Sequence, residues 1–143
     1  MILYLDASSL FKRLVEEDHG DDVAAWVEAA DVVAASRVAY PEVAAALARK
    51  RARGQITSGD TRRALGGLEA AWEDFLVVDL AERLAAKLAV RHVLRGFDAV
   101  HLAAAVTLRD ALGADGLAFS SFDDSLNRAA VAEGLVVLEP SEP

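Results

Sequence analysis

A chain of 143 residues, 54% of them hydrophobic and 27% charged, is long enough to bury a core and too apolar for a disordered protein. It has no cysteine, which excludes disulfides, thiol nucleophiles and cysteine-ligated zinc or iron–sulfur sites. Its 15 basic and 23 acidic side chains give a net charge of −8, which argues against binding nucleic acid through bulk positive charge but permits a substrate held through a metal ion.

Export and membrane segments are predicted to be absent. Asp6 interrupts the first apolar run too early for the core of a signal peptide. The longest stretch without formal charge, residues 99–108, is about half the length that a membrane span requires. We therefore expect a cytoplasmic protein without a membrane anchor.

Five short apolar runs are typical of strands that are covered on both faces. They span residues 2–5, 32–35, 75–78, 117–119 and 135–138. The stretches between them have the spacing of helices. A helix at 10–17 opens a pair before the second run, and a second pair fills the gap up to Asp74. Asp79 followed by Glu82 resembles a capping box, and residues 99–112 predict a buried helix.

This alternation of strands and helices predicts an α/β fold. We expect one domain over residues 1–139, with a mostly parallel central sheet of about five strands and helices on both faces. The tail, residues 140–143, is predicted to fray. In such a sheet, ligands bind beyond the carboxyl ends of the strands, so the residues that follow the strands are the candidates for a site.

Asp6 directly follows the first predicted strand, and Ser8 lies two residues further on. Asp6, Ser8 or Ser9 can cap the following helix, which is a structural role. Alternatively, Asp6 is a carboxylate held rigidly at the edge of the sheet, ready to bind a hard cation.

Glu42 and Asp98 are the next candidates. Glu42 lies among apolar residues and needs a partner, because burying a lone charge is costly. Asp98 precedes the apolar stretch 99–112 and is predicted to cap that helix, with its carboxylate aimed into the interior or a cleft. His101 lies one turn further on and is either a ligand or base, or a buried, hydrogen-bonded histidine. We favour the second, because no partner histidine is evident.

Asp123 and Asp124 follow the fourth predicted strand. We expect one of them to cap the next helix and the other to face the site. Four acidic positions at one sheet edge repel each other unless some are protonated or a cation is bound. Oxygen donors without cysteine favour Mg²⁺ or Mn²⁺, which suit phosphoryl chemistry by positioning a phosphodiester and activating water.

The one dense basic cluster comprises Arg49, Lys50, Arg51 and Arg53. It either complements the dipole at a helix end or contacts RNA or a partner protein. Other chemistries lack their motifs, because the chain has no phosphate-binding P-loop, no dinucleotide fingerprint and no nucleophile elbow.

Four segments in order resemble the PIN-domain family and, within it, the VapC-type toxin ribonucleases. Residues 4–12 (YLDASSLFK) are similar to the family's Asp-Thr-Ser-Ala-Leu-x-Lys start, with Ala7 where Thr is commoner. Residues 36–49 resemble the segment with the second acid, and residues 97–105 (FDAVHLAAA) the helix with the third. Residues 121–130 resemble the segment with the fourth acid, with Ser121 where Thr is usual.

The resemblance implies a PIN-like three-layer fold and a metal-dependent endoribonuclease. Its metal-binding carboxylates would be Asp6, Glu42, Asp98 and Asp123, and Ser8 would help to hold water or phosphate. It also implies one or two Mg²⁺ ions, with Mn²⁺ able to substitute, and a 5′-phosphate product released by a metal-activated water. As the toxin of a toxin–antitoxin pair, the protein would form a homodimer and be neutralised by a VapB-like antitoxin.

Two other functions remain open at this stage. One is a catalytically silent PIN-like module that acts through protein contacts, against which the presence of all four acids argues. The other is a metal-dependent DNA nuclease or phosphatase on a similar sheet. The sequence leaves open which RNA is cut, how many metal ions bind, and whether Asp123 or Asp124 is the fourth acid.

Overall fold

A computed structural model describes residues 1–113 and 115–142. Its elements alternate as the apolar runs predict. They are β1 (Ile2–Leu5), α1 (Ala7–Leu14), α2 (Gly20–Ala29), β2 (Val32–Ser36), α3 (Ala39–Ala52), α4 (Ser58–Trp72), β3 (Leu76–Val78), α5 (Glu82–His92), α6 (Gly96–Leu112), β4 (Leu117–Ser120), α7 (Asp124–Ala132) and β5 (Val136–Val137).

The strands form one sheet in the order β3-β2-β1-β4-β5, and every described pair is parallel. This confirms the predicted parallel α/β sheet. The chain moves outward from β1 on one side, through β2 to β3, and then returns to place β4 on the other side of β1. A crevice forms where the strand order reverses in this way, and the residues that follow β1 and β4 border it.

Alternation along β1 supplies two separate cores, one on each face of the sheet. Leu3 and Leu5 pack with residues of α1, α3 and α4 on one face. Tyr4 points to the opposite face and packs with residues of α5, α6 and α7. Helices on both faces give the three layers that the sequence predicts.

Helix starts differ from the predictions at three places. Both α1 and α6 begin three residues earlier than expected, at Ala7 and Gly96. The predicted capping box before α5 is wrong, because Ala81 occupies the cap position without a side-chain bond. Asp79 instead accepts hydrogen bonds from Arg37, whose Nη2 lies 2.8 Å from its Oδ1.

The carboxyl-terminal tail contacts α2, because the Ser141 hydroxyl donates a hydrogen bond to Oδ1 of Asp22 at 2.8 Å.

Among the helices of residues 1–113 and 115–142, none is long and apolar enough to cross a membrane.

Candidate active site

Asp6 lies at the carboxyl end of β1 and is almost fully buried, with 3% of its surface exposed. Its Oδ1 accepts hydrogen bonds from the Ser9 amide at 2.9 Å and the Ser8 hydroxyl at 2.7 Å. Its Oδ2 accepts one from the Ser121 hydroxyl at 2.6 Å. Asp6 therefore caps α1, and hydrogen bonds to both of its carboxylate oxygens hold it rigidly at the end of β1.

Asp123 repeats this arrangement at the start of α7. Its Oδ1 accepts a hydrogen bond from the Leu126 amide at 2.8 Å, which makes it the cap of the helix. Its Oδ2 lies 3.7 Å from Nη2 of Arg95. The expectation that one of the two acids caps the helix is confirmed for Asp123, and Asp124 is the first residue of the helix.

Ser121 joins these two acids, a role that the sequence did not reveal. Its hydroxyl donates to Asp6 and accepts a hydrogen bond from the Asp123 amide at 3.0 Å. Ser8 is engaged in a similar way, because its hydroxyl donates to Asp6 and accepts from the Phe122 amide at 3.0 Å. The two serines tie the loop after β4 to the loop after β1 and fix the direction of the Asp6 carboxylate.

Glu42 lies in the first turn of α3 and has the partner that its apolar surroundings require. Its Oε1 is 2.7 Å from Nε2 of His101, and Nδ1 of His101 is 2.7 Å from the Tyr4 hydroxyl. Burial raises the pKa of the Tyr4 phenol well above its usual value, so the phenol keeps its proton and donates it to Nδ1. The ring hydrogen then resides on Nε2 and is donated to Glu42.

His101 is thus the buried, hydrogen-bonded histidine that the sequence favoured, with 1% of its surface exposed. Both ring nitrogens already have partners, so the ring acts by holding Glu42 rather than by presenting a free nitrogen. A single carboxylate oxygen of Glu42 is occupied by this contact, which leaves Oε2 available at the site.

Asp98 differs from the other three acids. It is not the helix cap that the sequence predicted, because α6 begins at Gly96 and Arg95 occupies the cap position. Within the described chain, no hydrogen bond to its carboxylate is found, and Nε of Arg95 stands 3.7 Å from its Oδ2. Burial raises the pKa of Asp98, the charges of Asp123 and Asp6 raise it further, and Arg95 opposes them.

The comparison with protein families decides the classification. The model of the PIN domain matches residues 3–132. The chain belongs to the PIN-domain family.

Known relatives of this PIN domain include ribonucleases VapC of Mycobacterium tuberculosis. Ribonuclease VapC49 of strain H37Rv is 38% identical over 140 residues, which cover 93% of this chain and 92% of the relative. Ribonuclease VapC46 of the same strain is 33% identical over 145 residues, covering 97% and 98% of the two chains. The resemblance to VapC-type PIN domains is thereby confirmed.

Solved structures share the fold of this PIN domain at low sequence identity. PAE2754 from Pyrobaculum aerophilum superimposes with a TM-score of 0.66 at 17% identity, over 96% of this chain and 83% of that one. FitAcB from Neisseria gonorrhoeae gives 0.65 at 18% identity, over 98% of each chain. VapBC2 from Rickettsia felis, bound to a DNA fragment from its promoter, gives 0.65 at 10% identity, over 99% of this chain and 100% of that one.

The carboxylate oxygens of this PIN domain are donors of the type that a divalent cation binds. In the structure, however, the four carboxylates do not come together around one point. In the described ranges, no three His, Asp or Glu side chains are grouped closely enough to hold a metal ion. Each acid has a protein group beside it instead: serines at Asp6, His101 at Glu42, and Arg95 at Asp98 and Asp123. All donors are oxygens, and no residue that the structure describes donates a hydrogen bond to the half-buried Asp98, which is the environment that a hard cation satisfies.

A cleft of about 590 Å³ opens beside the acids of this PIN domain. Its charged and polar lining comprises Ser8, Lys12, Glu17, Glu42, Arg49 and Lys50, and Glu17 pairs with Lys12 at 3.0 Å and with Lys50 at 3.7 Å. Part of the basic cluster noted in the sequence therefore faces the cleft, and its charges offset those of the carboxylates. The apolar remainder of the lining includes Phe11, Phe97 and Phe122.

Proposed function

We propose that this PIN domain is a metal-dependent endoribonuclease and the toxin of a toxin–antitoxin pair. The observation that carries the proposal is the position of Asp98, a half-buried carboxylate to which no described residue donates a hydrogen bond, and whose pKa is raised by burial and by the charges of Asp123 and Asp6. The relatives of this chain that are named ribonuclease VapC support the choice of RNA as substrate.

In this proposal, Asp6, Glu42, Asp98 and Asp123 hold one or two Mg²⁺ ions, and Mn²⁺ can replace Mg²⁺. A bound cation lowers the pKa of water and offsets the charge that develops on the phosphate. The chain's own residues supply orientation: Ser8 and Ser121 fix Asp6, and His101 fixes Glu42. The remaining lone pair of the Ser8 hydroxyl can accept a hydrogen bond from water at the site.

The reaction is the hydrolysis of a phosphodiester. The oxygen of water bonds to phosphorus, the bond from phosphorus to the 3′ oxygen breaks, and the 3′ oxygen takes up a proton. The products are a 5′-phosphate and a 3′-hydroxyl. Lys12, Arg49 and Lys50 line the adjacent cleft and outnumber its carboxylates, Glu17 and Glu42, so they supply a local excess of positive charge for the RNA backbone in a chain whose net charge is −8.

The partners in this proposal are a VapB-like antitoxin and a second copy of the chain. Support for the antitoxin comes from the structural neighbours, which include FitAB bound to a DNA fragment and VapBC2 bound to promoter DNA. The homodimer is carried by the resemblance to VapC-type toxins.

The direct test is incubation of the purified protein with total RNA, DNA and a small phosphate ester, in Mn²⁺, in Mg²⁺ and in chelator. We expect cleavage of RNA alone, in metal alone, with 5′-phosphate ends. Preferred cleavage of DNA or of the small ester would favour the nuclease or phosphatase alternative. No cleavage of any substrate by metal-loaded protein would favour the silent interaction module.

A pair of adjacent substitutions identifies the fourth acid. Asp123→Asn keeps a good helix cap, because asparagine caps as well as aspartate, but it removes the charge beside Asp98. We expect RNA cleavage to fall at least about tenfold in Asp123→Asn, since a carboxylate ligand is lost. Asp124→Asn, one residue further into α7, removes the same charge and is expected to change cleavage by less than about twofold. The reverse order of effects would assign the role to Asp124.

Metal should also stabilise the fold, because the acids come together only in the native state. At a metal concentration a hundredfold above the dissociation constant, we expect the melting temperature to rise by about 5–10 °C over that in chelator. Differential scanning calorimetry of the wild type and of Asp98→Asn measures this, and the variant should lose most of the shift. An unchanged melting temperature at millimolar Mn²⁺ would contradict a formed site.

A further inference from the structure

Arg95 stands between two of the candidate metal ligands. Its Nε is 3.7 Å from Oδ2 of Asp98, and its Nη2 is 3.7 Å from Oδ2 of Asp123. The two acids come from different elements, α6 and the cap of α7, so a single guanidinium spans them. The arginine side chain is 86% exposed, whereas those of Asp98 and Asp123 are 24% and 29% exposed.

The distances at Arg95 differ from those of the other arginine pairs in the molecule. Arg37 reaches Asp79 at 2.8 Å and Arg91 reaches Glu133 at 2.9 Å, both within hydrogen-bond range. Arg95 remains beyond the usual hydrogen-bond range of about 3.2 Å from either acid. Its guanidinium is therefore a shared positive charge over two carboxylates and is not locked into one pair.

Arg95 offsets the repulsion between the two acids. Asp98 and Asp123 repel each other, and a cation between them relieves the repulsion. In the chain by itself, Arg95 is the nearest positive charge to both. A divalent ion carries twice that charge and binds oxygen donors directly, so it can replace the exposed arginine.

We propose that Arg95 is a built-in counter-ion that a divalent cation displaces from Asp98 and Asp123, and that the displaced guanidinium then contacts the phosphate of the bound RNA. This inference rests on the proposed ribonuclease function and adds a residue to it. A guanidinium fork matches phosphate oxygens in geometry and charge. Arg95 lines a second cleft of about 480 Å³ with Glu42, Phe97 and Asp98, which places it next to the acids and open to a substrate.

The first measurement is the affinity for Mn²⁺ without RNA, by calorimetric titration of the full chain. Arg95→Gln removes two exposed ion pairs that compete with the metal, so we expect Mn²⁺ to bind about three- to tenfold more tightly. Arg95→Lys keeps the charge and should bind Mn²⁺ within about twofold of the wild type. Arg62→Gln is the matched control, because Arg62 is exposed on α4 and its loss changes the net charge equally.

The second measurement is turnover of RNA by the same four proteins at saturating Mn²⁺. We expect kcat of Arg95→Gln to fall at least about tenfold despite its tighter metal, because the phosphate loses a positive contact. Arg95→Lys should retain part of the rate, and Arg62→Gln should resemble the wild type. A purely structural role for Arg95 would lower both the affinity for Mn²⁺ and the turnover. Tighter Mn²⁺ binding together with a lower kcat in Arg95→Gln is therefore the result that distinguishes the proposed role.

Each other outcome overturns a defined part of the inference. Unchanged or weaker Mn²⁺ binding by Arg95→Gln would contradict the counter-ion role. Tighter binding with unchanged kcat would contradict the phosphate contact. If the wild type neither binds Mn²⁺ nor cleaves RNA, the proposed function itself fails and the inference falls with it. If the wild type binds Mn²⁺ and cleaves RNA, a result that contradicts the expectations for Arg95→Gln overturns only the role of Arg95 and leaves the proposed function intact.

Discussion

Asp6→Asn is expected to lower RNA cleavage by about 10²- to 10³-fold, the scale on which a central electrostatic group contributes to a reaction. The substitution keeps the shape of the side chain and removes the charge that the metal would bind. Steady-state cleavage of a defined RNA in Mn²⁺ measures the effect. Retention of more than about a tenth of the wild-type rate would contradict a central role for Asp6.

The same substitution also affects the fold, and a second variant separates the two effects. An amide nitrogen cannot accept the hydrogen bond that Oδ2 of Asp6 accepts from Ser121, so Asp6→Asn should lower the free energy of unfolding by about 1–2 kcal/mol. Ser121→Ala removes that bond but leaves the charge of Asp6. We expect Ser121→Ala to lose about as much stability as Asp6→Asn but to lose much less of the RNA cleavage. Equal loss of cleavage in both variants would show that orientation of the carboxylate, and not its charge alone, sets the rate.

Asp98→Asn is expected to stabilise the protein in chelator at pH 7 while removing RNA cleavage. Burial and the charges of Asp123 and Asp6 raise the pKa of Asp98, so its ionised form is unfavourable in the native state. An uncharged amide of the same shape removes that penalty. Urea unfolding in chelator measures the gain, and a lower midpoint for Asp98→Asn would contradict the repulsion.

The pH dependence of that gain has a defined sign. Because the pKa of Asp98 is raised in the folded state, the wild type loses stability as the pH rises from the unfolded value, near 3.8, through the raised folded value. Below both values the carboxyl is protonated in either state, and the advantage of Asp98→Asn should vanish. Urea midpoints of the two proteins from pH 7 down to pH 4 should therefore converge on acidification.

The fold follows from the sequence because short apolar runs and helical spacing are local patterns. The five runs correspond to the five strands, and their alternation with helices predicts the parallel sheet. Helix starts were less predictable, because a cap depends on which residue leaves the helical conformation. Asp98 looks like a cap in the sequence, but Arg95, with its extended backbone, is the cap, and the helix begins at Gly96, three residues before the apolar stretch.

The candidate acids were visible in the sequence because they follow strands or begin helices, whereas their partners were not. Tyr4 and His101 are 97 positions apart, and Ser121 and Asp6 are 115 positions apart. Contacts over such separations leave no local pattern. The same holds for Arg95, which is three positions from Asp98 in sequence but reaches Asp123 only through the packing of α6 against α7.

Asp6 and Asp123 each accept a hydrogen bond from a backbone amide with Oδ1, while Oδ2 of Asp6 accepts one from Ser121 and Oδ2 of Asp123 lies near Arg95. Any event that pulls either carboxylate out of place also releases the first turn of a helix, so local fraying and the loss of the site are one event. If the proposed metal binds these acids, it would slow the exchange of the Ser9 and Leu126 amide protons with solvent. Stability of the first turns of α1 and α7 would then rise and fall with occupancy of the proposed site.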